Sequence, residues 1–393
     1  MKASVESVLT SLRADLQPLA LGSQRVAVAQ AVGGVTASWV TARQPHPLQP
    51  VSAMDGFALA GEAERYQLIA GVSAAGRPFY DELQANQALR ILTGAVIPTG
   101  ATAVVEQEKA QICANALTCD VALSAGRNIR QAGEDIQVGQ HLLAQGTQIR
   151  PQHLPALLAS GVTEVEVFAP LRIGLLATGD ELVSPGQTAK PGQVINTNQS
   201  MIAAVLQAQG HEVLSPAPVP DSPGLIREGL LDLSERCDVI VTLGGASVGD
   251  EDHVRDCLDQ VNHWRLALKP GSPMAVGQIR QTWVFALPGN PAAAWVCALL
   301  ILAPCLSLLG HRGWFEPLGL QMPAAFHRSS PAGRREYWRA RLRDGKVEIF
   351  PMDGAARLAG LSFSEGLSML AEDQTEVKPG QPVTYFPYSS WGL

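Results

Sequence analysis

The sequence has few charged residues and no surplus of positive charge. Lysine and arginine number 29 against 36 aspartates and glutamates, which gives a net charge of −7 in a chain that is 17% charged. A nucleic-acid-binding protein needs a basic surplus to displace the counterions of a phosphate backbone, so nucleic acid is excluded as the main partner. The 46% of apolar residues suffices for large buried cores and excludes a disordered chain.

Long hydrophobic runs are also missing. The longest, Ala292–Ala303, has 12 residues and is followed by Pro304, whereas a membrane span needs about 20. Acidic residues interrupt the apolar residues of the N-terminal segment, which does not fit a signal peptide. We therefore expect a soluble, cytoplasmic protein with no membrane partner.

Cysteine gives no sign of a metal or redox centre. The six cysteines include no Cys-x-x-Cys pair, and this favours structural thiols over a zinc or redox site. Glycine (37) and proline (27) are modestly enriched, which suggests many tight turns and β structure.

The length of 393 residues predicts roughly two to four domains. Short β-like segments fill the region from Ser52 to about Asp135, and similar segments follow Gly313. Between them, strands alternate with helices, which predicts a mostly parallel sheet with helices on both faces. The predicted strands are Leu171–Ala177, Asp238–Leu243, Trp264–Leu268 and Trp283–Leu287, and the predicted helices are Gln199–Gln209, Pro223–Ser234, His253–Val261 and Ala292–Leu309, the last kinked at Pro304.

Ligands of such sheets bind outside the carboxyl ends of the strands, and four strand ends here are polar and rich in glycine. They are Thr178-Gly179-Asp180-Glu181, the Gly244–Asp252 loop, Lys269-Pro270-Gly271 and Pro288-Gly289-Asn290-Pro291. The glycines of the second loop predict an anion nest before the His253 helix, and the acids after it predict Mg²⁺ between carboxylates and phosphate. Asn290 is expected to N-cap the following helix. Together these loops predict a nucleotide- or phosphate-binding crevice.

The loops and further motifs resemble one family along nearly the whole chain. The motifs are Ser52-Ala53-Met54-Asp55-Gly56-Phe57-Ala58, Leu92-Thr93-Gly94-Ala95-Val96-Ile97-Pro98, Gly133-Glu134-Asp135-Ile136, Ala177-Thr178-Gly179-Asp180-Glu181-Leu182, Thr242-Leu243-Gly244-Gly245-Ala246-Ser247-Val248-Gly249, Leu268-Lys269-Pro270-Gly271 and Ala286-Leu287-Pro288-Gly289-Asn290-Pro291. In this order they resemble the MoeA family, the molybdopterin molybdenumtransferases, which includes the gephyrin E domain.

The resemblance implies a fold and a reaction. The fold is α/β plus β, an elongated multidomain chain with a Mog-like α/β/α domain whose sheet is mostly parallel. The implied domains are 1–40 with 138–168 (a discontinuous linker and dimerisation domain), 41–137 (β-rich), 169–311 (Mog-like, binding the molybdopterin nucleotide) and 312–393 (a small β-barrel-like domain). The implied reaction inserts molybdate into adenylylated molybdopterin with Mg²⁺-dependent release of AMP, at a site on the interface of a homodimer.

The resemblance also implies roles for individual residues. The catalytic set is Asp55, Thr93, Asp135, Asp221 and Lys269, and the metal ligands are Asp252, Asp221 and Glu181. Substrate binding is implied for Thr178, Gly179, Asp180, Gly244, Gly245, Ser247, Gly249, Arg265, Pro270, Gly289, Asn290 and Arg334.

Glu365 stands where the family has an asparagine, and three further positions depart from the family pattern at the oxyanion site. Ala293 and Gly360 stand where serines are common, and Ser272 where a second lysine is common. Ser362 or Ser364 could supply the hydroxyl that Gly360 lacks. An alternative is therefore a divergent member of the family that binds the pterin nucleotide and handles the oxyanion poorly. A second alternative is a nucleotide pyrophosphatase or adenylyltransferase, which the motifs outside the Mog-like domain disfavour, because such an enzyme does not need them. A third is a non-catalytic scaffold, which is disfavoured by the four acids at positions that match the family: Asp55, Asp135, Asp221 and Asp252.

Overall fold

The computed structural model describes residues 2–121, 124–245 and 253–393, and the chain divides into two compact units. The large unit comprises Met1–Gln24, Gly33–Val35 and Phe168–Leu393, and the small unit comprises Arg25–Val32 and Thr36–Val167. The finer division into four domains stays a prediction.

Short strands outnumber helices among the described residues. The helices are α1 (Val5–Asp15), α2 (Leu154–Ala159), α3 (Thr197–Ala208), α4 (Pro223–Arg236), α5 (Pro291–Cys297), α6 (Ala303–Leu309) and α7 (Ala359–Phe363). The strands are β1 (Ser23–Ala27), β2 (Val40–Thr41), β3 (Val51–Ser52), β4 (Gly56–Leu59), β5 (Tyr66–Ser73), β6 (Gln87–Ile91), β7 (Ala103–Glu106), β8 (Ala110–Cys113), β9 (Ala116–Cys119), β10 (Ile129–Arg130), β11 (His141–Leu143), β12 (Glu164–Phe168), β13 (Arg172–Ala177), β14 (Leu182–Val183), β15 (Val194–Ile195), β16 (Glu212–Leu214), β17 (Val239–Leu243), β18 (Gln260–Trp264), β19 (Leu268–Lys269), β20 (Ala275–Ile279), β21 (Thr282–Leu287), β22 (Leu320–Pro323), β23 (Arg328–Ser329), β24 (Arg335–Arg343), β25 (Lys346–Ile349), β26 (Gly366–Leu370), β27 (Glu376–Val377) and β28 (Pro382–Pro387).

The small unit is built on a six-stranded sheet of order β7-β4-β6-β5-β9-β8, in which β5 and β6 are parallel and the other neighbours antiparallel. Side chains alternate between the two faces of a strand. Phe57 and Leu59 of β4 therefore enter one hydrophobic cluster and Ala58 enters another. Because both faces are covered, every residue of β4 is buried.

The large unit contains the predicted α/β sheet, of order β16-β13-β17-β21-β20-β18. The first four strands are parallel. β20 pairs antiparallel with β21, and β18 pairs antiparallel with β20, so the sheet is mixed. Ile173, Leu175 and Ala177 of β13 face a core shared with α1, α3, α5 and α6. Leu176 points to the other side, where α4 packs. Helices thus cover both faces, as the alternation of strands and helices predicted.

A second sheet of the large unit brings the C-terminal region next to the loop that follows β18. Its order is β19-β24-β26-β28-β22, with β25 also paired to β24. The short strand β19 runs parallel to β24, so that Leu268 pairs with Arg335 and Lys269 with Glu336. This pairing places Lys269 against residues more than 60 positions further along the chain.

Two predicted helices differ in the structure. Residues 253–261 form no α-helix: a single 3₁₀ turn, Arg255–Cys257, leads into β18, because Gln260–Trp264 pairs with β20. The helix predicted over Ala292–Leu309 is interrupted by a π-helical stretch, Ala298–Leu302, directly before α6 and Pro304, and the kink at Pro304 stays a prediction. A π turn there leaves room for a proline that cannot donate a backbone hydrogen bond.

The helix predicted over Ala292–Leu309 corresponds to the helical stretch Pro291–Leu309, which comprises α5, the π-helical stretch and α6. By length and composition its 19 residues could cross a membrane, and 83% of its most apolar window is buried inside the protein. Such burial is typical of a core helix, and this one packs against the central sheet.

Candidate active site

The carboxyl ends of β13, β17 and β21 lie side by side and form the floor of the candidate site. In register, Ala177 pairs with Leu243 and Leu243 with Leu287, so the three strands end at one level. The first residues beyond them stay connected: Thr178 N–H donates to Leu243 O at 3.0 Å, and Gly244 N–H to Leu287 O at 3.1 Å. The predicted strand-end loops are therefore neighbours.

Only glycine fits at the start of the second loop. Gly244 and Gly245 have φ values of +98° and +65°, and a Cβ on Gly245 would lie 2.6 Å from Cγ2 of Val254. The Thr178 hydroxyl beneath them is buried and has no hydrogen-bond partner among the described residues. Ser247, Gly249 and Asp252 of this predicted phosphate loop lie outside the described residues.

Three carboxylates, those of Asp180, Glu181 and Asp221, lie beside this floor on two loops whose backbones are hydrogen-bonded to each other. Gly179 N–H donates to Val219 O at 3.1 Å, which brings the loop after β16 next to the loop after β13. Asp180 and Asp221 then exchange hydrogen bonds from backbone N–H to carboxylate, at 3.2 and 3.1 Å. The predicted metal ligand Asp221 is thus held against Asp180, a residue predicted only for substrate binding.

A cavity of about 960 Å³ opens above these loops. Its lining includes Asp180, Glu181 and Asp221 and, among the residues that the structure describes, no lysine or arginine. We call it the acidic cavity. Asn290 borders it at the N-cap position of α5, as predicted, although its side chain makes no capping hydrogen bond. Gly289 is also in the lining, and its carbonyl accepts a 2.5 Å hydrogen bond from Asn198.

A second cavity, of about 480 Å³, has the opposite charge. We call it the cationic cavity. Its charged lining residues are Lys2, Lys269, Arg334, Arg339, Glu336 and Asp353. Four cations against two carboxylates leave a net charge of +2. Pro273, Pro288 and Asn290 line both cavities, so the two cavities adjoin within the large unit.

Sequence reasoning predicted Lys269, Pro270 and Arg334 here and missed Arg339 and Glu336. The Arg339 guanidinium donates to the carbonyls of Arg357 at 2.7 Å and of Gly354 at 3.1 Å. Glu336 joins Lys269 to Arg334 through its carboxylate. The available signal was the five arginines among positions 334–343, because like charges so close together repel one another unless carboxylate partners or anionic ligands offset them.

Of the predicted binding residues that the structure describes, Arg265 lines neither cavity. Its guanidinium lies 4.6 Å from the ring centroid of Trp264, and that of Arg255 lies 4.4 Å from the same centroid. A cation over an aromatic face is a stabilising arrangement in its own right.

Two of the three residues predicted in the small unit lie together. Asp55 Oδ1 accepts hydrogen bonds from Thr93, at 2.6 Å from the backbone N–H and 2.8 Å from the hydroxyl. The backbone bond first, and then the hydroxyl, lower the pKa of the Asp55 carboxyl below its ordinary value. Asp135 lies in the turn whose backbone N–H donates to His46 O. No hydrogen bond links it to the Asp55–Thr93 pair in the described part of the unit.

The three positions that depart from the family pattern have different surroundings. Ala293 and Ser272 line the cationic cavity. Gly360 lies instead under the Arg339 guanidinium, where a Cβ would approach the terminal nitrogen to 2.5 Å. Ser364, a potential substitute hydroxyl, is engaged with Tyr388 Oη at 2.8 Å.

The fold and the site together define an α/β protein with an acidic and a cationic cavity side by side at the carboxyl ends of its parallel strands. Three family models match the chain: the MoeA N-terminal region (domain I and II) over residues 3–161, the probable molybdopterin binding domain over 174–307, and the MoeA C-terminal region (domain IV) over 321–388. The chain belongs to the MoeA family, which confirms the resemblance seen in its motifs.

Named relatives are similar to this chain over most of its length. The molybdopterin molybdenumtransferase of Haemophilus influenzae is 32% identical over 351 residues, covering 86% of this chain and 87% of the relative. That of Synechococcus elongatus is 31% identical over 401 residues, covering 98% and 99%. The crystal structure of the molybdopterin biosynthesis MoeA protein from Pyrococcus horikoshii OT3 superposes with a TM-score of 0.86 over 99% of this chain and all of that one. At 23% sequence identity it shows a shared fold.

Proposed function

We propose that the protein is a molybdopterin molybdenumtransferase, which inserts molybdate into adenylylated molybdopterin and releases AMP. The observation that carries the proposal is the pair of adjoining cavities of opposite charge, which share Pro273, Pro288 and Asn290 in their linings. The nucleotide end of the substrate fits the acidic cavity at the strand ends. The net charge of +2 in the cationic cavity matches a tetrahedral dianion such as molybdate.

Mg²⁺ fits the acidic cavity. The described residues contain no group of three His, Cys, Asp or Glu side chains arranged to hold a metal ion on their own. Mg²⁺, however, usually keeps several waters and binds through one or two carboxylates plus substrate phosphates. Asp221 and Glu181 would hold it, with Asp252 completing the predicted set. When bound, the ion would neutralise charge on the pyrophosphate during cleavage.

The other residues of the site are proposed to position the substrate and to bind the oxyanion. The positive φ values of Gly244 and Gly245 let the chain turn sharply at the strand ends, where the substrate phosphates are proposed to bind. Lys269 and Arg334 bind and orient the oxyanion as cations. Asp55, kept ionised by Thr93, and Asp135 are proposed to complete the site from the small unit.

We also propose that the enzyme is a homodimer in which the small unit of one chain serves the large unit of the other. Chains carrying Asp55→Ala and chains carrying Asp221→Ala are then each inactive, and mixed dimers regain one intact site. Co-expression with two different affinity tags isolates the mixed dimer. Recovery of about half the activity per dimer supports the shared site, and no recovery from a folded mixed dimer contradicts it.

A cytoplasmic location is proposed with this function. The alternative activity, nucleotide cleavage without efficient molybdate insertion, is favoured by one observation: Ala293 brings no hydroxyl into the cationic cavity. The experiment that separates the two supplies purified protein with adenylylated molybdopterin, Mg²⁺ and molybdate, and tests whether the product activates a molybdenum-dependent apoenzyme. Activation supports the proposed function, while AMP release with no activation supports the alternative.

A further inference from the structure

Glu336 is the most deeply buried carboxylate in the lining of the cationic cavity. It is 2% exposed and lies on β24, directly opposite Lys269 of β19. A buried carboxylate is costly unless charged or polar groups compensate it. Glu336 follows Arg334 by two positions in the segment Gly333-Arg334-Arg335-Glu336-Tyr337, but the resemblance gave a role to Arg334 alone, and the proposed reaction gives Glu336 no chemical step.

Both oxygens of the Glu336 carboxylate are occupied. Oε2 accepts from Lys269 Nζ at 3.3 Å. Oε1 accepts from Arg334 Nε at 2.9 Å, and it also accepts from the hydroxyl of the buried Ser330. One carboxylate therefore joins the two cations that the proposed function assigns to the oxyanion.

Those two cations would otherwise be mobile. The side chains of Lys269 and Arg334 are 49% and 39% exposed, while that of Glu336 is 3% exposed. Long exposed side chains lose conformational freedom when a ligand fixes them, and that loss weakens binding. An anchor that holds them in place beforehand removes part of this cost.

We propose that Glu336 is a positioning residue that holds Lys269 and Arg334 in place for a tetrahedral oxyanion. The inference rests on the proposed function, because it takes these cations as oxyanion ligands. The opposite role is charge reduction, in which Glu336 merely weakens the attraction of the cavity for anions. The two roles predict opposite effects of removing the charge, which makes them separable.

The test measures the dissociation constant for molybdate alone by calorimetry, on the full-length protein. Glu336→Gln keeps the shape of the side chain but replaces the carboxylate with a neutral amide, which holds Lys269 and Arg334 less firmly. We therefore expect molybdate binding to be at least about tenfold weaker. Glu336→Asp keeps the charge and should recover most of that loss. Glu348→Gln is the matched control, since Glu348 pairs with Arg341 in the same sheet and lines neither cavity.

Tighter molybdate binding by Glu336→Gln overturns the proposal, because it is the result that charge reduction predicts. Unchanged binding also overturns it, because it is the result that a purely structural role predicts. If that variant does not fold, Ser330→Ala removes one anchor of the carboxylate and keeps every charge, and it should weaken molybdate binding about threefold. Unchanged binding in a folded Ser330→Ala protein then overturns the proposal. No molybdate binding by the unmodified protein overturns this inference and the proposed function together, whereas binding without insertion overturns the proposed function alone.

Discussion

Asp180 and Asp221 hold each other through two reciprocal hydrogen bonds, each from a backbone N–H to the carboxylate of the other residue, at 3.2 and 3.1 Å. The exchange fixes two loops, about 40 positions apart in sequence, that both line the acidic cavity. Two carboxylates are thereby held next to each other where the substrate phosphates are proposed to bind. Because carboxylates and phosphates repel one another, a bound cation is needed to offset their negative charge.

Asp221→Asn should impair the reaction without disturbing this arrangement. The amide oxygen still accepts from Asp180 N–H, so the loops keep their positions while one negative charge is lost. We expect AMP release to fall by ~10²–10³-fold, the scale of losing one preorganised electrostatic contact, and more Mg²⁺ to be needed for half-maximal rate. The measurement is AMP release across a Mg²⁺ titration, with the exposed Asp232→Asn on α4 as control. Normal turnover would remove Asp221 from the site.

Ala293→Ser should strengthen oxyanion binding. Ala293 is buried in the wall of the cationic cavity, so a serine hydroxyl would face the bound anion. A hydrogen bond to a charged group contributes about 1.5–3 kcal/mol, which corresponds to roughly 10–100-fold in the molybdate dissociation constant. Calorimetry with molybdate measures it. Equal affinity in a folded variant would show that the anion binds away from this wall.

Gly360→Ser should have the opposite effect, although the family pattern suggests a serine there. A Cβ at Gly360 would lie 2.5 Å from a terminal nitrogen of Arg339 and 2.7 Å from its central carbon. The guanidinium must therefore move away from the carbonyls that hold it. We expect weaker molybdate binding than in the unmodified protein, and a lower melting temperature. A tighter-binding Gly360→Ser variant would show that the Arg339 guanidinium does not contribute to anion binding in the cationic cavity.

Acid should destabilise the protein through His211. Burial, with Arg312 nearby, lowers the pKa of His211 to about 4, whereas the unfolded chain titrates near 6.5. The unfolded state therefore binds the proton first as the pH falls, and the stabilisation present above pH 6.5 is lost between pH 6.5 and 4. The loss between pH 7 and pH 5 is about 2 kcal/mol. Denaturant unfolding at both values should show a smaller difference for His211→Gln, and an equal difference would contradict the assignment.

The floor of the acidic cavity was predictable because its information is local. β13, β17 and β21 are short apolar runs that end in glycine-containing turns, and parallel neighbours bring such ends together. The prediction of a helix over His253–Val261 was wrong because the structure of that segment is decided by a distant strand. Val254, Cys257 and Leu258 have helical spacing, but the pairing of Gln260–Trp264 with β20 decides the local structure.

The cationic cavity could be predicted only in part, because it depends on a pairing between distant segments. Lys269 meets Glu336 through the β19–β24 register, and nothing near either residue in the sequence indicates that register. The same holds for Arg339, whose position follows from the carbonyls of Gly354 and Arg357. The resemblance supplied Arg334 and Lys269, and the carboxylate that joins them required the structure.

The most direct test of the central claim is the stoichiometry of a single turnover. Enzyme in excess over adenylylated molybdopterin, with Mg²⁺ and saturating molybdate, is quenched at intervals, and AMP and inserted molybdenum are counted in the same samples. The account predicts one molybdenum inserted for each AMP released, with AMP release dependent on molybdate. AMP released at the full rate with no molybdenum inserted would contradict it.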